Sequence, residues 1–293
     1  MSCSAPIDIS SRPSGKCDLK CDYKFDYPDS NIVVTNAGTH LSLNYDRGTM
    51  PPVLYNADAY NVQEVRFYTP SLHRYLGREA PAELVIYHSY AGKNLVVCVP
   101  LIVGSSSTKT AKFFTQLVDY VNTFAQNASE SANMGNVVWT INDWIPLKKF
   151  YSYTGTELTS CSGKYDYIVF SVNDAATATI SQDSLTNLQS LISRSNAPIV
   201  NNKFYESTVP AIYGLGPGGE DEIYISCSPT GSSDEMELVG VKDSNRNYFA
   251  DFGSYMKEQN IIQNPFFQSL LAILAMIGVY KLGKFVFKRK TKE

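Results

Sequence analysis

From Asn31 to Val103 the chain alternates apolar and polar residues in short runs broken by Gly, Pro and Asn, the period-two pattern of half-buried antiparallel strands. The clearest stretch runs from Glu64 to His88, EVRFYTPSLHRYLGREAPAELVIYH, and reads as two strands joined by a short turn, with Pro70 and residues 77–81 between them. Asn94 to Val103 is an apolar run, NLVVCVPLIV, whose Pro100 requires an edge or a bulge because proline donates no ladder hydrogen bond. The period then changes. Lys109 to Ala125 sets Phe113, Leu117, Val118, Val121 and Phe124 at helical spacing behind a Ser-rich start with Thr108 able to cap. Ser181 to Arg194 repeats the pattern with Leu185, Leu188, Leu191 and Ile192, so two helices are expected to pack on a sheet.

Beyond Cys227 the pattern changes again. A Ser-Pro-Thr-Gly-Ser-Ser run and an acidic patch from Asp234 to Glu237 read as a linker over residues 228–260, in which Tyr248 to Asn260 suits an amphipathic helix beside a membrane. Ile261 to Tyr280 carries no charge. With Phe266, Leu270, Leu271, Ile273, Leu274, Ile277 and Val279 as its apolar body, with Lys281 and Lys284 reaching toward the headgroups, and with Phe285 and Phe287 completing the span, residues 261–287 match a bilayer core of about 30 Å. The alternative for this stretch is a buried C-terminal helix. Residues 288–293 form a basic tail.

Charge sharpens this division. Residues 281–293 hold six Lys or Arg and one Glu, which leaves residues 1–280 at a net −8. The tail favours a leaflet rich in anionic lipid. Positive-inside placement keeps the tail cytoplasmic, whereas an anchor with no recognisable signal peptide before it is expected to leave the large domain there. Topology therefore stays open. The 20 tyrosines suit sheet packing and recognition faces alike.

Candidate chemistry is sparse. Cys3, Cys17 and Cys21 crowd the first segment without completing a tetrahedral zinc set, so separate buried or surface thiols are expected, with disulfides the alternative. His40, His73 and His88 are scattered, and His88 reads as a strand residue satisfied by a hydrogen bond. Gly214 to Gly219 lacks the Lys-Ser or Lys-Thr of a phosphate loop and reads as a turn. Asn127-Ala128-Ser129 is a glycosylation acceptor only in a secretory lumen.

The Glu64–His88 frame resembles the α-carbonic anhydrase family, which carries at this spacing His-x-His, then Pro-Ser-Glu-His, then Ala-Glu-Leu-His. Here Arg66 and Tyr68 hold the first two zinc-histidine positions and Val85 the third; Leu72 replaces a glutamate, while Pro70, Ser71 and His73 remain. Ser4 to Ile9 is similar to the family's opening segment, and Asn36 to His40 to one that places Thr39 at the proton-shuttle position. Tyr151 to Thr159 is similar to the segment lining the substrate pocket, with Thr159 or its neighbour as gatekeeper, and Asn201-Asn202 to a pair before the last strands. The resemblance covers about Ser4 to Ser226. It implies an α/β, mainly β fold: a central, mostly antiparallel twisted sheet with peripheral helices over residues 4–227, to which the C-terminal transmembrane helix is added.

The family's zinc needs three neutral imidazoles and a water; a permanently cationic arginine and a valine without a lone pair cannot supply them. The resemblance thus implies a catalytically inactive member with no metal and no cofactor. Glu83 stands where the family orients a zinc histidine and is expected as a remnant or as a partner of Arg66, and Arg66, Tyr68, Glu83 and Thr159 would line the vestigial pocket. Together with the anchor, the architecture resembles the membrane-bound cell-surface-binding proteins of poxviruses. That implies a structural protein of a virion, held in its membrane and in host intracellular membranes during assembly, whose partners are lipid and capsid or other virion proteins rather than nucleic acid. The alternative is attachment to a host glycan or receptor, with a local basic patch around Arg66, Arg74, Arg78 and Lys93. A third alternative is an active carbonic anhydrase.

Overall fold

The computed structural model describes residues 2–9, 12–17, 20–135, 137–173 and 178–215. The linker, the anchor at 261–287, the basic tail and Gly216 to Gly219 lie outside them. Short strands come first: β1 (Gly15–Cys17), β2 (Tyr23–Phe25), β3 (Val33–Asn36), β4 (Leu41–Leu43) and β5 (Val53–Tyr55). The long strands β6 (Asp58–Tyr68), β9 (Ala82–Tyr90) and β10 (Lys93–Val103) follow, with a small hairpin of β7 (Arg74–Tyr75) and β8 (Arg78–Glu79) between the first two. After helix α1 (Lys109–Phe124) come β11 (Ser131–Asn133), a 3-10 turn at Ile141–Trp144, β12 (Phe150–Gly155), β13 (Tyr165–Phe170) and β14 (Thr179–Ile180). Helix α2 (Gln182–Leu191), β15 (Tyr205–Ser207) and β16 (Ile212–Tyr213) complete the order.

Fourteen of these strands form one sheet along the path β1-β15-β12-β13-β10-β9-β6-β4-β3-β11, with β2, β5, β14 and β16 paired beside it, while β7 and β8 pair with each other. Pairing is mainly antiparallel, but β10 runs parallel to β13 and β14, β1 parallel to β15, and β2 parallel to β16. Strand alternation splits the interior in two. Val65, Phe67, Leu84, Ile86, Leu95, Val97 and Ile168 face one side, where both helices pack. Tyr68, Val85, Tyr87, Val96, Cys98, Tyr153 and Tyr167 face the other. One irregularity sets the register: a bulge between Val62 and Glu64 lets Val62 and Val65 both enter the helix-side core and turns Glu64, Arg66 and Tyr68 to the opposite face.

The helices form where their periodicity predicts them. Thr108 caps α1 by accepting from the Ala111 amide, and Ser181 caps α2 by accepting from Ser184. Two details differ. Phe114 rather than Phe124 enters the core, packing edge-on against Phe67 and Trp144, while Phe124 is 60% exposed. Helix α2 stops at Leu191, because Ile192 turns to extended backbone, and does not reach Arg194.

Pro100 needs no edge strand. It lies opposite Glu83, and on the other flank of β10 one parallel partner, β13, ends opposite Cys98 while the next, β14, begins opposite Ile102. The missing amide therefore falls in a break between partners. The link between β6 and β9 is longer than a simple turn, because it contains the β7–β8 hairpin. The cysteines are mostly not separate thiols. Cys3 is bonded to Cys161 and Cys17 to Cys21, which among the described residues leaves Cys98 free and buried. Sequence spacing could not bring out the first pair, since 158 residues separate its members.

His88 closes a buried chain of hydrogen bonds. Its Nδ1–H donates to the Leu95 carbonyl, so Nε2 accepts from the Tyr27 hydroxyl at 2.9 Å, and that hydroxyl in turn meets Tyr23 at 3.0 Å. Burial lowers the His88 pKa to about 3, against roughly 6.5 in an unfolded chain. Below that value the unfolded chain takes up a proton which the fold refuses. Stability is therefore complete above about pH 6.5 and falls toward pH 3 by about 1.4 kcal/mol per pH unit from this group. Urea unfolding across that window is expected to show at least this slope, and His88→Gln to reduce it by about that amount; an unchanged slope would remove His88 as a source.

Candidate functional site

The bulged strand β6 and its neighbour β9 build the patch to which the sequence points. Arg66 lies opposite Val85 and Tyr68 opposite Glu83, so residues facing each other across the ladder share one face. The three zinc-histidine positions, Arg66, Tyr68 and Val85, are therefore brought together, with Val85 fully buried beneath. Thr159 joins them from the loop after β12, through Glu157.

Arg66 organises this face. Its Nη2 donates to Glu64 at 2.7 Å, its Nη1 contacts Tyr68 at 3.3 Å and Glu157 at 3.5 Å, and its guanidinium lies 4.3 Å from the centre of the Tyr87 ring. Glu157 is held from several sides: Tyr87 donates to it at 2.9 Å, the Thr159 amide at 2.7 Å, and the Thr159 hydroxyl at 2.9 Å. Burial alone would raise both carboxyls, but Arg66 and Ser42 hold Glu64 below the ordinary range, and the Ser160 and Thr159 amides hold Glu157 there. Burial pushes Tyr68 up to about 12 despite the nearby guanidinium. The result is an ionised Glu64–Arg66–Glu157 cluster on the wall of a hollow of about 410 Å³.

Glu83 does not pair with Arg66. It is fully buried and accepts from the Leu72 amide at 2.7 Å, the His73 amide at 3.2 Å, the His73 ring Nδ1 at 2.8 Å and the Tyr75 hydroxyl at 3.0 Å. Burial works against its charge, yet His73 and these amides hold its pKa down. His73 Nε2 meets the Tyr153 hydroxyl at 2.7 Å. Arg66, two ladder positions away, is occupied by two carboxylates of its own, Glu64 and Glu157. Thr39 is exposed; it is His40 that packs on the patch, its ring 4.9 Å from that of Tyr68, with burial and then Arg66 lowering its pKa to about 4. The expected basic patch is split. Lys93 pairs with Asp58 at the far end of β9, Arg66 is neutralised, and only Arg74 and Arg78 share the hairpin.

Zinc of the three-imidazole kind does not fit these residues, because Arg66 is a hydrogen-bond donor on every nitrogen and Val85 offers no electron pair. Among the described residues the tightest group of possible metal ligands is His73, Glu83 and Cys98, whose donor atoms lie within 4.8 Å of one another. Both ring nitrogens and both carboxylate oxygens of that group already make hydrogen bonds, and burial pushes the Cys98 thiol far up, away from the thiolate a metal would need. It is a packed network.

The loop 156–162 is fixed covalently as well as by hydrogen bonds. Cys161 is tied to Cys3, Ser4 and Thr156 exchange bonds at 2.9 and 3.1 Å, and Asn202 donates to the carbonyls of Ser4 and Thr154. The N-terminal segment, the pocket segment and the Asn pair named from sequence thus meet at one place. Sequence reading missed Glu64, Tyr87 and Glu157; an acidic residue between Thr156 and Leu158 was the available sign that Arg66 has a partner.

The fold so built is α-carbonic-anhydrase-like. An α-carbonic anhydrase of Photobacterium profundum superposes with a TM-score of 0.57 at 18% identity, over 69% of this chain and 88% of its own. A dioscorin solved with ascorbate gives 0.59 at 17% identity, over 72% and 87%. In sequence, Alpha carbonic anhydrase 7 of Arabidopsis thaliana is 27% identical over 135 residues, 46% of this chain, so the chain spans about half the length of that curated relative, 47%. No family model matches the sequence.

Replacing Arg66 by Met leaves two carboxylates without their cation and is expected to cost about 1–3 kcal/mol in urea unfolding. The loss should shrink in the Arg66→Met, Glu157→Gln double variant; strictly additive losses would show that the pair is not coupled.

Proposed function

We propose that this chain is a non-catalytic binding module on a carbonic-anhydrase-like scaffold, a structural protein of a virion that ties capsid or other virion proteins to the viral membrane. The observation that carries the loss of catalysis is the Glu64–Arg66–Glu157 cluster, which fills with fixed charge and hydrogen bonds the place where a hydrating site needs imidazoles and a metal-bound water. A rigid β scaffold with its pocket loop fixed at both ends suits display of a binding face. The membrane role rests on the uncharged stretch 261–280 with its basic flank. No helix among the described residues is long and apolar enough to cross a membrane.

A second reading, attachment to a host glycan or receptor from the virion surface, is favoured by the Cys3–Cys161 bond, since such bonds persist in oxidising compartments and on virion surfaces. Protease treatment of intact particles separates the two. Digestion of the body supports surface attachment, whereas protection until the shell is opened, with capsid proteins co-purifying from detergent, supports the tether.

The purified protein is expected to bind no stoichiometric zinc and to hydrate carbon dioxide no faster than buffer. Arg66→His, Tyr68→His and Val85→His combined serve as the control for scaffold geometry. Zinc-dependent hydration by the unaltered chain would overturn the reading.

A further inference from the structure

The chain holds one Asn-x-Ser/Thr acceptor, Asn127-Ala128-Ser129, and neither reading of its function uses it. The three residues lie between α1 and β11, the strand that ends the sheet path, and all are exposed. They form a fixed turn. Glu130 donates its amide to the Asn127 carbonyl at 3.1 Å, and Ser129 adopts a φ of 72°. The Ser129 amide donates to the Asn36 carbonyl at 2.7 Å and the Asn36 amide to the Glu130 carbonyl at 3.0 Å, which ties the turn to the end of β3. Asn127 Nδ2 donates to Glu130 Oε1 at 2.9 Å, and its second N–H has no partner among the described residues. Three residues before the acceptor, the Phe124 ring is 60% exposed, covered on one flank by Tyr120 at 4.6 Å between centroids. Aromatic faces carry partial negative charge, so the C–H face of a sugar ring is a fitting cover for such a surface.

Use of the acceptor depends on which side of the membrane the body occupies. Cys3–Cys161 and Cys17–Cys21 mark a domain folded under oxidising conditions. In a eukaryotic cell the endoplasmic reticulum lumen supplies those conditions, and N-glycosylation takes place in the same lumen. Tail charge points the same way. The six Lys or Arg of residues 281–293 favour the cytoplasm, which leaves the body across the membrane from them.

We propose that Asn127 carries an N-linked oligosaccharide, added on the lumenal side of the membrane, with its first sugar resting on Phe124. Transfer takes place on the unfolded segment: Asn127 Nδ2 attacks C1 of a lipid-diphosphate-linked oligosaccharide, and the C1–N bond forms as the C1–O bond to phosphate breaks. The lipid diphosphate leaves with that electron pair, and one Nδ2 proton is lost to solvent. The remaining N–H still donates to Glu130, so the turn closes around the glycan as it stands. The site shares no residue with the Arg66 cluster and holds or fails independently of the virion role.

The test is expression of the full chain, with no leader added, in cultured animal cells, followed by digestion with peptide N-glycosidase. A single downward step in mass is expected, placed on Asn127 by peptide mass spectrometry. Asn127→Gln should abolish the step, and so should Ser129→Gly, which removes the hydroxyl but suits the left-handed backbone there. Unchanged mobility of the variants without reductant shows that their disulfides, and hence their folds, are kept. Digestion should lower the thermal midpoint of the unaltered chain and lower that of Phe124→Ala less. A chain without the step, whether or not its disulfides have formed, or a step that survives both acceptor variants, overturns the site; an equal effect of digestion in Phe124→Ala overturns the resting place of the first sugar.

Discussion

A carboxylate shut away from water holds the centre of this molecule in register. Glu83 offers two oxygens to four donors, and those donors come from the connection between β6 and β9 rather than from neighbouring strands. An ion in such a place is tolerable only when its hydrogen bonds are complete. The connection must therefore adopt one conformation to supply them, which in turn fixes where β9 begins and which residue lies opposite Arg66. Tyr153 extends the network to β12 through His73, so three separate stretches are joined by polar contacts inside an otherwise apolar layer.

The same ladder explains how the face above came to hold an arginine. Positions facing one another across β6 and β9 share a surface, so a cation at Arg66 must find its anions on that surface or at its rim. Glu64 comes from the same strand after the bulge, and Glu157 from the loop closed by Cys3–Cys161. Tyr87 supports both, lying under the guanidinium and donating to Glu157. Charge, aromatic contact and covalent closure act on one spot, which converts a concave surface into a fixed one.

Much of this was legible in the residues. Period-two runs located β6 and β9, an apolar run located β10, helical spacing located α1 and α2, and the order of short motifs indicated the family of folds. What escaped had a common cause: it depended on which residues meet across long separations. The Cys3–Cys161 bond, the Arg66–Glu157 contact and the neutralisation of Lys93 by Asp58 leave no local periodicity. The choice of Phe114 over Phe124 followed from the direction in which α1 lies on the sheet, which its spacing alone does not specify. The bulge at Gln63 escaped because alternation continues on both sides of it and only its phase changes.

The Cys3–Cys161 bond makes residues 3–161 a closed covalent ring, with β13, β14, α2, β15 and β16 outside it. A chain pulled from its C-terminal end can shed those outer elements one after another, but extension stops at Cys161. Force is then carried across the sulfur bridge to the N-terminal segment, and β6, β9 and β10 inside the ring bear none of it. A domain loaded from that end thus has a built-in limit to how far it can be unravelled, and the limit vanishes in a reducing solution.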